Sequence, residues 1–146
     1  MNRRNAFAVA VLLSLLCLAS NSFGQEAPYT QGSVWSISLV RVKPGMLDDY
    51  LKNLIGAWKK QNEEAKKEGL VLSYKVISAP AANKDDWDLM LVVEFKNMAA
   101  LDEADAKFRA IFSKLSTEAE LKKGIQARAE IREIIGNKLG RELILK

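Results

Sequence analysis

Four aromatic side chains are the strongest candidates for small-molecule chemistry in this chain: Trp35, Trp58, Tyr74 and Trp87. Trp35 and Trp87 begin strand-like segments, Tyr74 lies in a third, and Trp58 sits on the apolar stripe of a helical one. If these elements pack with those sides together, all four point into one layer, where aromatic walls can hold a flat apolar ligand. The same residues at the same periods also suit plain core filling. No acid/base pair accompanies them, which favours binding over catalysis and leaves no catalytic residue to assign. The 146 residues contain no histidine, so the usual general base, the commonest metal ligand and the middle member of a nucleophile relay are all missing.

Other patterns lead to mundane readings. Asp85, Asp86 and Asp88 cluster between strand-like segments, but without the spaced Asp/Asn-Gly-Glu frame of a calcium loop they read as a solvated hairpin loop, and no metal site is expected. Lys59 to Lys67 looks basic until its charges are paired at helical spacing, Lys59 with Glu63, Lys60 with Glu64 and Glu63 with Lys67. Residues 117–146 carry seven Lys/Arg against five Glu, which suits a solvated helix face. Nucleic-acid binding is not supported. Gly136-Asn137-Lys138-Leu139-Gly140 lacks the ending of a phosphate loop, and no nucleophile elbow occurs.

The start of the chain has the pattern of an export signal. Arg3 and Arg4 precede an uncharged apolar run of 14 residues, Ala6 to Ala19. That run is too short to span a bilayer, and Ser22 and Gly24 then supply small residues for cleavage before Gln25. Cys17 follows Leu16 instead of a small residue, which argues against lipidation. Residues 1–24 are therefore expected to be removed on the way to the periplasm or the exterior, leaving no membrane attachment. Loss of Arg3 and Arg4 lowers the net charge from +4 to +2. Gln25 to Ser33, with Pro28 and Gly32, reads as a loose leader, and 34–146 as one domain.

Within that domain, alternation over Val34–Val42 predicts a strand with Trp35, Ile37 and Leu39 towards the core. Pro44-Gly45 predicts a turn. Leu47, Tyr50, Leu51, Leu54, Ile55 and Trp58 form a helical stripe over about 46–68, with Gly69 as its stop. Leu70–Ala79 and Trp87–Lys96 read as a hairpin. Leu101, Phe108, Ile111, Phe112 and Leu115 mark a further helix, broken near Ser116 and restarted at the capping box Thr117-Glu118-Ala119-Glu120. The restart carries Leu121, Ile125, Ile131, Ile134 and Ile135, and 141–146 forms a short last strand. This order is the ferredoxin-like βαββαβ arrangement: a four-stranded antiparallel sheet, order 4-1-3-2, with helices on one face. Parity then gives the second face Val34, Ser36, Ser38, Val40 and Val42, with Val71, Ser73, Lys75 and Ile77, and Met90, Val92 and Glu94. Such a face is too apolar for water, so a second copy of the chain is expected to cover it.

The succession VWSISLVRVKPGMLDDYLKNLIGAWKK, a Gly-ended helix, a strand hairpin and WDLMLVVEFKNMAAL resembles the dimeric α/β-barrel superfamily, in its antibiotic-biosynthesis-monooxygenase-like and NIPSNAP-like branches. The resemblance implies a homodimeric barrel over 34–146 with a small apolar ligand between sheet and helices. It also implies a second possibility, cofactor-independent oxygenation of an electron-rich substrate. Haem-degrading relatives use a histidine ligand, which this chain lacks, so no cofactor is implied. A third reading is a structural module whose second sheet face binds another protein.

Overall fold

The computed structural model describes residues 26–146, so the export signal read over 1–24 lies outside the described residues. Strand β1 spans Tyr29–Val42 and ends at the expected turn, where Met46 N–H donates to the Lys43 carbonyl at 3.0 Å. Pro44 fixes one corner and Gly45, at φ +77°, supplies the left-handed one. The following helix runs as α1 (Leu47–Asn53), a π-helical segment (Leu54–Lys59) and α2 (Lys60–Lys67). It stops at Gly69, φ +70°, where Leu70 N–H reaches back to the Ala65 carbonyl at 2.9 Å. The hairpin follows as β2 (Ser73–Ser78) and β3 (Leu89–Phe95). Then come α3 (Ala99–Asp102), α4 (Ala104–Leu115), α5 (Glu118–Ile131) and β4 (Arg132–Leu145). The capping box holds α5 in place, with Thr117 and Glu120 bonding reciprocally.

The four strands form one antiparallel sheet in the order β2-β3-β1-β4, the expected 4-1-3-2 read from the other edge, with the helices on one face. The sheet is open: β2 and β4 are its edges and it does not close into a barrel, which overturns the barrel expected from the family resemblance. Two boundaries also move. Tyr29, Thr30 and Gln31 pair with Leu145, Ile144 and Leu143, so much of the segment read as a leader belongs to the sheet. Ile134 and Ile135, read as helical, lie in β4. Their spacing continues the α5 stripe, but a strand there satisfies the backbone of β1 along its full length, and the ladder outweighs local periodicity.

The largest correction concerns the two faces of β1. Val34, Ser36, Ser38 and Val40 lie opposite Phe95, Val93, Leu91 and Leu89 on the helix side. Val34 and Val40 are fully buried there, within two core clusters. The first joins Val34 to Ala65, Leu70, Val71, Phe95 and Ile111, and Val40 belongs to the second. The second contains Val42, Tyr50, Leu54, Leu89 and Leu91. Full burial of side chains of this size stabilises the fold by about 1.5–3 kcal/mol each. Trp35, Ile37 and Leu39, expected in the core, instead sit on the open face beside Met90, Val92 and Glu94, while Val71, expected there, is core. Alternation correctly split β1 into two sets and misassigned which was inward, because both sets are apolar and only Ser36 and Ser38 break the symmetry.

Candidate functional site

The two inward serines have a role that plain core filling would not give them. They form part of the floor of a cleft of about 340 Å³ between the sheet and the helices, together with Leu91, Val93 and Phe95. One wall is Trp58, Gln61 and Asn62 from the π segment and α2; the other is Asp105, Phe108 and Phe112 from α4. Short side chains in the middle of β1 leave the volume that bulkier residues would have filled. At the far ends of α2 and α4 the walls are tied by Lys114 and Glu68, 2.8 Å apart. Phe108 stacks edge-on against Phe95 (6.5 Å between centroids) and tilted against Phe112 (6.0 Å), so the α4 wall is continuous aromatic surface.

Polar atoms in the cleft are few and fixed. Asn62 is 3% exposed. Its Nδ2 donates to the Trp58 carbonyl at 2.8 Å. A carbonyl accepts only, so this contact sets the amide orientation, and Oδ1 is left without a partner among the described residues. A buried unsatisfied acceptor costs about 1–3 kcal/mol. Ser38 Oγ donates to Asn137 Oδ1 at 2.8 Å, which leaves its lone pairs free to accept. The π segment that carries Trp58 shifts the helix register at this point, a feature frequent at functional sites.

Of the four aromatic residues expected to line a site, the structure brings two together. Trp58 and Tyr74 meet edge to face, 5.3 Å and 88° apart. Trp58 walls both the cleft and a second, apolar groove of about 240 Å³ between the helix and β2, which Tyr74 lines with Leu51, Leu54 and Val76. The Tyr74 hydroxyl donates to Glu63, and that bond, with some burial, pushes its pKa up to about 12. Trp35 is on the opposite face of the sheet, with the Lys75 ammonium 5.5 Å from its ring centroid. Trp87 precedes β3, its backbone N–H held by the Asp86 carboxylate at 2.9 Å. Two carboxylates of this loop accept backbone N–H groups: Asp86 also accepts from Ala82 N–H at 2.8 Å and Asp88 from Val42 N–H, at the end of β1, at 2.9 Å. Those bonds to Ala82 and then Trp87 hold the Asp86 carboxyl below its usual range. In the Lys59–Lys67 stretch, Glu63 goes to Tyr74 and Lys67 pairs with Glu64 at 2.9 Å, a different set from the one spacing suggested.

Sequence reasoning missed Ser36, Ser38, Gln61, Asn62 and Asp105. Two serines in the middle of an otherwise β-branched and aromatic strand were the available signal. Asn62 carried none, since it stands among charged residues that are exposed.

Comparison with known proteins adds fold-level likeness alone. No family model matches the chain, so the membership suggested by its opening motif is not upheld. No curated protein matches either. Among solved structures, the chain is similar to a dimeric ferredoxin-like protein from an uncultured marine organism, 11% identical, with 80% of this chain and 90% of that chain covered and a TM-score of 0.49. It is also similar to a dimeric protein of unknown function and ferredoxin-like fold from Bacteroides fragilis, 19% identical, covering 81% of this chain and all of that one, with a TM-score of 0.41.

Proposed function

We propose that this chain is a binding protein for a small, ring-containing molecule held in the cleft between sheet and helices. The observation that carries this reading is the cleft itself. At about 340 Å³ it falls within the range of ligand pockets, and it combines aromatic walls with a few placed polar groups. A titration followed by tryptophan fluorescence tests it, with 1-naphthol as an uncharged ring probe. Saturable quenching is expected in the full chain and its loss in Ser38→Phe, which fills the floor. Equal binding in the two proteins would remove the cleft as the site.

We also propose that two copies pair through the open sheet face. Trp35, Ile37, Leu39, Met90 and Val92 make its centre, with Ile77 beside them 44% exposed. Beyond the end of β3, β1 and β4 continue as a two-stranded ribbon, on which Leu143, Ile144 and Leu145 are 53%, 51% and 79% exposed. A two-stranded ribbon is marginal alone in water, and apolar side chains along it favour burial against another surface. Light scattering is the test, with a mass of two chains expected.

The pattern of residues 1–24 supports export as a proposal about location. Mass spectrometry of the protein recovered from a secreting host is expected to find a new start at Gln25; retention of Arg3 and Arg4 would refute it. Among the described residues no helix is long and apolar enough to cross a membrane.

A further inference from the structure

We propose that the cleft selects an organic cation, a protonated or quaternary amine carried on an apolar or aromatic body; this rests on the cleft being a ligand site. The polar groups whose roles are fixed are acceptors. Ser38 has committed its proton to Asn137 and keeps its lone pairs to accept with, while Asn62 Oδ1 is sealed from the cleft and takes no part. Ser36 and Gln61 can donate or accept and so suit any ligand. Asp105 is the one charged residue of the lining, and no Lys or Arg stands with it. Its nearest basic neighbours along α4 are engaged elsewhere: Lys107 pairs with Glu103 at 2.7 Å, and Arg109 lines a separate hollow with Thr117 and Glu118.

Around these acceptors stand Trp58, Phe95, Phe108 and Phe112. Aromatic faces carry negative quadrupole potential and attract ammonium groups, tryptophan most strongly. Aromatic walls and a carboxylate at the rim therefore both favour positive charge bearing N–H donors. An anion meets no fixed donor and a like charge at Asp105. A neutral alcohol can donate a hydrogen bond to the carboxylate but brings no charge to it or to the rings.

Three probes of matched shape separate these cases: 2-phenylethylamine, 2-phenylethanol and 3-phenylpropionate, titrated by calorimetry into the full chain and followed by NMR at the Asn62 side-chain amide. The amine is expected to bind roughly tenfold more tightly than the alcohol, with the acid weakest and the Asn62 amide resonance shifting on amine binding. Asp105→Asn, a change at an exposed position, is expected to remove most of the amine's preference over the alcohol. Alcohol binding equal to or tighter than amine binding would overturn the cation assignment and leave the cleft standing. Failure of all three to move the Asn62 resonance, with 1-naphthol also unbound, would overturn both readings.

Discussion

The two faces of the sheet are built on opposite plans, and β1 is where they meet. Under the helices the middle of the strand offers Ser36 and Ser38; on the other side the same stretch offers Trp35, Ile37 and Leu39. A one-layer antiparallel sheet in water usually does the reverse, with bulk packed beneath the helices and short polar residues outside. The inversion is local, because Val34 and Val40 flank the serines and are fully buried against helices. Volume has been withheld from the interior at one place, where a cleft stands, and apolar surface has been put where no other part of the described chain lies over it. Substitutions on the two faces should therefore differ in sign as well as in size.

The largest effect belongs to the open face. Ile37→Asp places a carboxylate at the centre of the proposed pairing surface, where a central anchor contributes about 2–4 kcal/mol. The dimer is expected to weaken by roughly a hundredfold or more, read by analytical ultracentrifugation, with circular dichroism unchanged. Lys122, exposed on α5 in the helical layer, supplies the comparison: Lys122→Ala should leave the dimer intact. A variant Ile37→Asp that stays dimeric would show that pairing, if any, uses another surface.

The next effect has the opposite sign. Ser36→Val adds apolar volume at the cleft floor, at a hydroxyl that has no side-chain hydrogen bond among the described residues. It is expected to stabilise the fold by about 1 kcal/mol and to raise the melting temperature by a few degrees. Binding of 1-naphthol should weaken at the same time, because the added methyls occupy the floor. A destabilised variant with binding unchanged would mean that Ser36 is packed against neighbours and that the hollow does not reach it.

These paired outcomes mark how much of the molecule was legible in its residues. Element order, the turn at Pro44-Gly45, the stop at Gly69 and the capping box at Thr117 are local chemistry, and local chemistry is written in the chain. The orientation of β1 is not local. Both of its residue sets are apolar enough to be inside, so the decision falls to what each strand neighbour and helix presents. The same limit hid β4, since a stripe of isoleucines reads as helix until a 14-residue partner strand demands pairing. Trp58 and Tyr74 were within reach because helix period and strand parity both place them inward. Trp35 was lost with the face of its strand.

A smaller effect separates the cleft from the sealed half of the core. Tyr50 is fully buried there, and its hydroxyl has no partner among the described residues. The Arg132 guanidinium lies 5.5 Å from its ring centroid. Removing an unsatisfied hydroxyl while keeping the ring sheds a desolvation cost, so Tyr50→Phe should range from neutral to about 1 kcal/mol stabilising in chemical denaturation. It should leave probe binding untouched. Asn62→Leu provides the contrast: it also removes an orphan polar atom, yet it breaks the bond to the Trp58 carbonyl and reshapes the cleft wall, so it is expected to weaken probe binding. Equal effects of the two on binding would erase the distinction between the cleft wall and the sealed core.

The smallest expected effect lies at the wall shared by the cleft and the outer groove. Tyr74 packs edge-on against Trp58 and donates its hydroxyl to Glu63. That bond exists only while the phenol keeps its proton, and a carboxylate beside it resists a second negative charge, so the pKa rises from 10.0 to about 12. A folded-state pKa above the unfolded one means that the contact contributes fully below about pH 10. Its contribution is lost as pH climbs through the window from 10 to 12. Because the Tyr74 hydroxyl is largely solvated, solvent screening keeps its share of stability small, and the useful readout is the phenolate absorbance near 295 nm. Tyr74 is expected to ionise late in the native protein, as is Tyr50, which burial pushes up, and Tyr74 alone should return towards the ordinary range in Glu63→Gln. If that variant also changes the fluorescence of Trp58 bound to 1-naphthol, the Glu63–Tyr74 contact steadies the indole as a wall of the cleft; an unchanged signal confines the contact to the groove.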